Sequence, residues 1–415
     1  MAQSTVILGS GIIGVSTAYY LSQSSPASSI HLVEPSPELF ASASGFAGGF
    51  IALDWFSDSV TDLARLSFDA HKSLAAEFGG REKWGYSRSL SLSYTAGRAS
   101  RTGRRGKDWL RQEIIRLDTA EGVSELADLL AEPSGPPWLS RSAGDKIELM
   151  CEAGTTAQVN PRRLCEFLLA ACLERGVQLH HPARALSIDK DMRDELSSIR
   201  LVNTTTNIVS DIPCSKILIA AGAWSPQVFS TLFPTSQTKI PISSLAGHSL
   251  VVRSPGWSKE HEWDGCHAIF TRDEDGFGPD LFSRIGGEIY ISGVNDASLE
   301  LPELATESKI EEIAIDKLKK AAQRFLGTPE KPEEIEIVRK GLCFRPLTKQ
   351  AWPIIAKIHD ENLGGLSTRG DGDGGVWLAA GHGSWGISFS LGTGKVMSEM
   401  ILGRPTSVNV EGFRL

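Results

Sequence analysis

The segment from Thr5 to Glu34 constrains the fold more than any other part of the chain. A short β-branched strand, TVIL, leads through a glycine turn into an apolar helix, and a second strand, SIHLVE, follows. The order strand, turn, helix, strand is that of a βαβ unit, in which parallel strands are covered by helices. We therefore expect an α/β fold whose sheet begins near the N-terminus.

The turn of this βαβ unit carries G-x-G-x-x-G spacing, and the next strand ends in the acid Glu34. Glycines there allow a tight turn and close backbone approach to a pyrophosphate, which the helix N-terminus attracts. The carboxylate can accept hydrogen bonds from ribose hydroxyls. The pattern predicts dinucleotide binding without separating FAD from NAD. The turn residues are Gly9, Gly11, Ile12, Ile13 and Gly14.

Length and charge narrow the class of protein. A chain of 415 residues exceeds one ordinary core, so we expect two domains. Its 41% hydrophobic and 22% charged residues are typical of a globular enzyme with a small-molecule substrate. The net charge of −8 argues against a nucleic-acid partner or an anionic membrane surface. No run of 18 apolar residues is present, so no membrane span is predicted. The oligomeric state is not readable.

Cysteine usage and the termini bear on localisation. The six cysteines are dispersed without a C-x-x-C pair, which favours reduced thiols inside the cell. The N-terminus lacks a basic region followed by an apolar stretch, so a cytoplasmic protein is predicted. The C-terminal GFRL resembles a peroxisomal tripeptide loosely, because Phe413 stands where a small residue is wanted. A peroxisomal location therefore remains an alternative.

Later segments extend the α/β interpretation. PRRLCEFLLAACLERGV predicts an amphipathic helix, three alternating segments after it predict an antiparallel meander, and KILIAAGAW predicts a buried parallel strand. A further helix is predicted to open with a capping box from Ser308 to Glu311 and to end at Gly327. Its predicted buried face includes Ile310 and Ile313. We assign a discontinuous nucleotide domain to residues 1–80, 150–225 and 341–415, and a substrate domain to 81–149 and 226–340.

A loop of small residues after Glu34 favours a flavin. The sequence SASGFAGGF lets backbone pass close to a flat ligand and leaves N–H groups free, whereas a plain NAD domain needs no such loop. The alternative is a flexible glycine–serine loop. The residues concerned are Ser42, Ser44, Gly48 and Gly49.

Five segments in order resemble the family of D-amino-acid oxidase, glycine oxidase and sarcosine oxidase, and within it a fungal and plant subgroup of undefined substrate. They are VILGSGIIGVSTAYYLSQ, SASGFAGGF, NPRRLCEFLLAACLERGV, ILIAAGAWS, and FRPLTKQAWPII with LAAGHGSWGISFSLGTG. The resemblance implies a Rossmann-like FAD-binding domain and a p-hydroxybenzoate-hydroxylase-like substrate domain on a mixed or antiparallel sheet. It further implies hydride transfer from a C–H beside an amine nitrogen to flavin N5, with O2 reoxidising the flavin to give H2O2.

The resemblance also implies roles for particular residues. Gly9, Gly11 and Gly14 would bind pyrophosphate and Glu34 ribose, while the small-residue loop would meet phosphates and flavin. A late glycine-rich loop would lead into a helix from about Ser388, whose N-terminus favours negative charge at the N1–C2=O edge. We expect His382 to be a ring-packing residue rather than an acid or base. The other implied cofactor contacts are Arg184, Ala185, Gly222, Trp224, Gly381, Gly383, Ser384, Trp385, Gly386 and Ile387.

The segment LCFRPLTKQAW carries the expected substrate chemistry. Arg345 matches the family arginine that binds substrate carboxylate, for which a planar charged fork is suited; the alternative is a structural ion pair. Cys343 matches a cysteine that forms a thioether to flavin in sarcosine-oxidase-like members, and the alternative is a small buried thiol. Lys349 and Trp352 depart from the family pattern and would alter the pocket rim.

Two other functions stay open at this point. The altered TKQAW segment would also suit oxidation of an alcohol, a sugar or a cyclic amine in secondary metabolism. A flavin-binding protein for redox sensing or trafficking, with little turnover, is a further alternative. The sequence shows no spacing typical of a metal cluster or a Ser–His–Asp triad.

Overall fold

A computed structural model gives the fold. It describes residues 4–97, 135–151, 154–262, 265–272, 277–327, 335–370 and 373–415. Much of the predicted substrate-domain range 81–149 therefore lies outside the described residues. No helix among the described residues is long and apolar enough to cross a membrane.

The elements are numbered in chain order. The strands are β1 (Thr5–Leu8), β2 (Ile30–Val33), β3 (Phe50–Ala52), β4 (Ser87–Thr95), β5 (Lys146–Cys151), β6 (Thr156–Gln158), β7 (Gln178–His180), β8 (Ala183–Lys190), β9 (Leu196–Asn203), β10 (Val209–Pro213), β11 (Lys216–Ile219), β12 (Ile242–Arg253), β13 (Cys266–Arg272), β14 (Asp280–Arg284), β15 (Glu288–Asp296), β16 (Glu336–Thr348), β17 (Ile354–Ile358) and β18 (Gly375–Ala380). The helices are α1 (Ile12–Leu21), α2 (Ala43–Phe46), α3 (Thr61–Phe78), α4 (Gly80–Trp84), α5 (Pro161–Arg175), α6 (Ser225–Leu232), α7 (Glu312–Leu326) and α8 (Gly386–Ile401).

The first layer is a six-stranded sheet that confirms the βαβ prediction. Its order is β17-β18-β11-β1-β2-β7, and only β17 runs antiparallel to its neighbour. Helices α1, α3, α5 and α8 share one core with one face of this sheet. The other face packs on α6 and on the antiparallel meander β8-β9-β10. Strands buried on both faces explain why segments such as KILI read as continuous apolar runs.

The second layer is a mixed sheet of order β16-β12-β15-β14-β13-β4-β6-β3, with β5 paired to β4. Helix α7 packs on one face of it through a core that includes Leu250, Ile291 and Phe325. The opposite face turns towards the first layer. This pairing of a largely parallel sheet with a largely antiparallel one confirms the predicted α/β class, with a Rossmann-like part and a part on a mixed sheet.

The strands divide differently from the residue ranges assigned to the two domains. β3 and β6 belong to the nine-stranded sheet although they fall in ranges assigned to the nucleotide domain. The boundary at residue 341 falls inside β16, which pairs with β12 along its length. β16 pairs with β12 in the second sheet, and the chain then continues directly into β17 of the first sheet.

Helix α7 corrects the sequence-based capping prediction. The helix begins at Glu312, and its N-cap makes no side-chain hydrogen bond. Ser308 instead donates to the Ala305 carbonyl, 2.7 Å away, within the preceding turn. Ile313 is 88% exposed, and Ile310, which precedes the helix, is also exposed; the buried face of α7 runs instead through Ile315, Leu318 and Ala322.

Candidate active site

A cavity of about 1020 Å³ lies between the two layers. The β1–α1 turn, the loop before β3 and the 3-10 helix Gly222–Trp224 border one part of it. The cavity-facing sides of β15 and β16 border another, together with the loop before α8. Such a cleft at the carboxyl ends of parallel strands is the usual ligand site of an open α/β sheet.

The β1–α1 turn has the geometry that its glycines predict. Gly9 has a φ of +105°, and a Cβ on Gly14 would lie 1.9 Å from the Gly9 carbonyl oxygen. Gly14 therefore shapes the turn from behind, while Gly9, Gly11, Ile12 and Ile13 line the cavity. The N–H of Ile12 donates to Ser44 Oγ over 2.9 Å, which ties α1 to the small-residue loop.

Glu34 lies on the cavity wall at the end of β2. Its carboxylate accepts hydrogen bonds from the backbone N–H groups of Ser10 and Ser36, at 3.2 and 3.1 Å. Burial nevertheless raises the pKa of this carboxyl above its ordinary value. Hydrogen bonds donated to the carboxylate would offset that cost, which suits a partner with adjacent hydroxyls.

The small-residue loop lies against both layers. Ser42 Oγ accepts the N–H of Phe344 over 3.3 Å, so Ser42 and Ser44 keep their hydroxyl protons available to donate. A Cβ on Gly48 would come within 2.5 Å of the Phe282 ring, and one on Gly49 within 2.0 Å of the Val159 oxygen. The loop admits no side chain at these two positions, so bare backbone forms the cavity wall.

The far end of the cavity has walls from both layers. Arg184 and Ala185 on β8, with Gly222 and Trp224 after β11, line it from the first layer. A segment from the second layer, residues 299–305, lies over them and was not predicted. Trp224 Nε1 donates to the Pro302 carbonyl at 2.7 Å, and the Ala305 N–H donates to Ser36 Oγ at 3.1 Å.

An ion pair completes this contact. Arg184 and Glu303 pair at the cavity mouth, where both side chains are about half exposed. The segment 299–305 therefore holds the first layer through a backbone carbonyl, a backbone N–H and a carboxylate. Few sequence signals mark such a segment, since its contacts use backbone groups that any residue provides.

The glycine-rich loop before α8 closes the cavity. The helix begins at Gly386, two residues earlier than the predicted Ser388, and its N-cap Trp385 provides no side-chain cap for the first turn. His382, Gly383, Ser384, Gly386 and Ile387 line the cavity. Gly381 supports the loop with a φ of +85°, and Trp385 packs edge-on against Phe56. The free N-terminal N–H groups of α8 thus lie at the cavity wall.

His382 is buried beside this helix. Its Nε2 shares a 3.1 Å hydrogen bond with Thr393 Oγ1. Burial lowers the pKa of His382 to about 3, so the ring is neutral near pH 7. A neutral ring that shares a hydrogen bond with a buried hydroxyl can pack and orient, and its low pKa makes it a weak proton acceptor.

Strand β16 presents Arg345 to the cavity. Its guanidinium lies across Gly247 on β12, where an added Cβ would be 2.4 Å from Nη1, and reaches Asn295 Oδ1 on β15 at 2.5 Å. Among the described residues, no carboxylate forms an ion pair with Arg345. Its charge is thus oriented by a neutral amide and left for an anion. Gly247 and Asn295 were not predicted; an isolated glycine inside a strand is the signal that marks such a close approach.

Cys343 precedes Arg345 on the same face of β16 and also lines the cavity. Burial raises the pKa of its thiol, and the nearby Arg345 and Arg339 oppose that rise in part. All six cysteines lie within the described residues, and all are buried and free. Lys349 is exposed in the turn after β16, and Trp352 packs against the first-layer core, so neither lines the cavity.

The cavity suits FAD on its own geometry. One end of the cavity is lined by the glycine turn, the start of α1 and the carboxylate of Glu34, which has spare acceptor capacity. The N-terminus of α8 lines another part of the cavity. In the described part of the chain, no group of three or more acids, histidines and cysteines could hold a metal ion.

Comparisons with known proteins agree with this geometry. A family model described as FAD dependent oxidoreductase matches residues 4–400. "Putative oxidoreductase C1F5.03c" of Schizosaccharomyces pombe is 26% identical over 435 residues, covering 99% of this chain and 97% of its own. Glycine oxidase from Geobacillus kaustophilus superposes with a TM-score of 0.71 at 18% identity, covering 99% of this chain and 98% of that one. Iminodiacetate oxidase from Chelativorans sp. BNC1 gives 0.69 at 16% identity, with the same coverage of both chains. The chain therefore belongs to the DAO family of FAD-dependent oxidoreductases.

Proposed function

We propose that this protein is an FAD-dependent oxidase of an amine that carries a carboxylate, such as an amino acid. The observation that carries the proposal is Arg345. Its guanidinium faces the cavity, is oriented by Asn295, and makes no ion pair with a carboxylate of the described residues. A planar charged fork with free donors binds a carboxylate in two parallel hydrogen bonds.

The chain's residues would divide the work between binding and positioning. The cofactor would be held by the Gly9–Gly14 turn, Glu34 and the loop from Ser42 to Gly49. Arg345 would fix the substrate so that its C–H is presented to the flavin, which contributes by proximity and orientation. The chemistry supplied by FAD is acceptance of a hydride at N5, and we propose O2 as the final acceptor, giving H2O2.

The names of the structural relatives support the amine-carboxylate class. Glycine oxidase, iminodiacetate oxidase and the L-proline dehydrogenase of P. horikoshii are named for compounds that each contain an amine nitrogen and a carboxylate. At 15 to 18% identity these likenesses carry the fold, so the substrate class rests on Arg345 itself.

The decisive test is anaerobic flavin bleaching with a matched panel. The FAD-loaded protein would be mixed with amino acids, N-alkyl amino acids, the corresponding amines without carboxylate, and hydroxy acids. We expect only compounds with both amine and carboxylate to bleach the flavin, and air to restore the colour with release of peroxide. Bleaching by hydroxy acids alone would contradict an amine substrate. No bleaching by any compound would contradict the proposal that the protein is an oxidase.

Variants at Arg345 test the carboxylate contact. Arg345→Ala should raise KM for the carboxylate substrate about ten- to a hundredfold while FAD content stays unchanged, because a hydrogen bond to a charged group contributes about 1.5–3 kcal/mol. Arg345→Lys should recover part of this loss, since it keeps charge without the fork. Arg253→Ala, an exposed arginine on the same sheet, is the control. Equal loss of FAD and of KM in Arg345→Ala would show a structural role instead.

A further inference from the structure

Two other arginines lie behind the small-residue loop, one buried and one half-buried. Arg284, on β14, is 3% exposed, and its Nη2 donates to the carbonyl oxygens of Ala47 and Gly48 at 2.8 and 3.0 Å. Arg339, on β16, donates from Nη1 to the Gly45 oxygen at 3.1 Å. The loop that they hold forms the cavity wall at Ala47 and Gly48. The Arg284 guanidinium therefore lies one peptide layer away from the cavity, and Arg339 holds the same loop beside it.

The charge of this pair is not compensated within the described residues. Neither arginine forms an ion pair there, and the acid that acts on both, Glu288, already lies 3.9 Å from Arg253. The Nε of Arg284 and the Nη2 of Arg339 are buried without a hydrogen-bond partner. Leaving buried charges unpaired costs several kcal/mol per ion, so their retention indicates a purpose for the charge.

Contacts with aromatic rings offset only part of the cost of removing these two cations from water. The guanidinium of Arg284 lies 5.2 Å from the centre of the Tyr290 ring, and that of Arg339 lies 4.8 Å from the centre of Phe46. Such contacts return about 1–2 kcal/mol of the desolvation cost. Burial, with repulsion from Arg339, lowers the pKa of Arg284 to about 10, which still leaves it charged at neutral pH.

Holding the loop does not by itself require a charge. Three carbonyl oxygens are bound, and an amide side chain such as glutamine can donate to a carbonyl without the cost of a buried cation. The two unpartnered N–H groups are also unused by the loop. What the arginines add beyond a neutral donor is positive potential on the cavity side of Ala47 and Gly48.

We propose that Arg284 and Arg339 are a fixed pair of positive charges that stabilise negative charge on the flavin from the side of the Gly45–Gly48 loop. The pair acts through the loop and does not touch the substrate face, so these are positioning residues for the cofactor's electrostatics. In a buried site of low dielectric, charges separated from the flavin by one peptide layer remain effective. The inference rests on FAD binding and is independent of which substrate the protein oxidises.

Sulfite binding to the FAD-loaded protein provides the test. Sulfite adds to oxidised flavin and leaves a negative charge on the ring system, so its Kd, read from loss of visible absorbance, reports the local potential. We expect Arg284→Met and Arg339→Met each to raise the sulfite Kd about tenfold or more. An equal change in the two-electron reduction equilibrium corresponds to a midpoint potential about 30 mV lower.

A second set of variants separates charge from hydrogen bonding. Arg284→Gln keeps a donor for the loop without the charge, and Arg284→Lys keeps the charge without the fork. The proposal predicts that the glutamine variant behaves like methionine and that the lysine variant keeps sulfite affinity within about threefold of the wild type. Arg414→Met, at an exposed arginine whose ion pair among the described residues is with Glu411, should change neither quantity.

The opposite result overturns the proposal. If Arg284→Gln retains FAD and has wild-type sulfite affinity and midpoint potential, the arginine acts only as a loop brace. If the methionine variants fail to retain FAD, the glutamine and lysine variants decide the question by the same comparison. These readouts need no substrate, so failure of the proposed amine oxidation leaves them unaffected.

Discussion

At the scale of single residues, the position of Arg345 depends on the absence of a side chain at its neighbour on β12. Gly247 is the clearest case, because the Arg345 guanidinium occupies the space of its missing Cβ. We expect Gly247→Ala to displace Arg345 from Asn295 and to raise KM for a carboxylate substrate about tenfold or more, with kcat and FAD content changing less. Steady-state kinetics with absorbance at the flavin band measures all three.

The control for that variant is another glycine-to-alanine change in open space. A Cβ on Gly154 would meet nothing within 4 Å, so Gly154→Ala should leave KM at the wild-type value. Unchanged KM in Gly247→Ala as well would mean that the guanidinium has room to move without losing its substrate contact.

Site residues could be predicted from the sequence where they lie close together along the chain. Gly9, Gly11, Gly14 and Glu34 belong to one continuous βαβ unit, so their spacing predicted the turn that the structure contains. Asn295 and Gly247 meet Arg345 only because β15, β12 and β16 are neighbours in the sheet. Strand pairing across 50 or more positions leaves no fixed spacing in a sequence.

At the scale of elements, the segment 299–305 joins the two layers over the far end of the cavity. We expect Trp224→Phe and Ser36→Ala each to speed FAD release two- to tenfold, because each removes one hydrogen bond worth about 0.5–1.5 kcal/mol. FAD dissociation after dilution, followed by flavin fluorescence, gives the rate.

Ser230→Ala is matched to this pair. Ser230 Oγ donates only to Gln227 within the exposed part of α6, so its loss should not alter release. If the Trp224 and Ser36 variants release FAD at the wild-type rate too, then the segment does not hold the cofactor side of the cavity.

Helix boundaries were predicted correctly where proline and glycine mark the ends of a helix, and less well where a cap-like pattern lies in a turn before the helix. Helix α5 begins at Pro161, as its sequence predicts, and ends at Arg175 with Gly176 as its C-cap. For α7, the Ser308–Glu311 pattern matched a capping box, but Ser308 was already used by the turn before it. A capping hydroxyl accepts an N–H of the first helical turn, and Ser308 lies four positions before the first helical residue, Glu312.

At the scale of the whole molecule, buried histidines tie stability to pH. Burial lowers the pKa of His71 and His31 to about 4 and that of His382 to about 3. In the unfolded chain they would titrate near 6.5. The unfolded state therefore binds more protons below pH 6.5, so stability is full above that pH and is lost as the pH falls towards 4.

Urea unfolding of the FAD-loaded protein between pH 6.5 and 4.5 checks this dependence. His71→Gln can still donate to the Ile387 carbonyl, which now bonds to His71 Nε2. The free energy of unfolding should then depend less steeply on pH. Loss of one titrating proton lowers that slope by about 1.4 kcal/mol per pH unit. His359→Gln, at an exposed position, should keep the full slope. A full slope in His71→Gln would show that other groups carry the acid sensitivity.

The layered architecture was predictable because it follows from the order of strands and helices. The division into domains follows less directly from the sequence, since β16 runs through both assigned ranges. Pro346 is compatible with this strand because β16 lies at the sheet edge, where a missing N–H is tolerated.

The alternation along β16 also bears on how such an enzyme can diversify. Arg339, Gly341, Cys343 and Arg345 occupy one face of the strand, while Leu342 and Phe344 between them belong to a small core, and Phe344 also borders the cavity. Substitutions at the odd positions can therefore exchange one chemistry for another while the even positions keep the strand anchored. A single inserted residue would reverse both sets at once. Replacing Cys343 or Arg345 would therefore change the chemistry of the cavity wall, whereas changing the length of β16 would exchange its two faces.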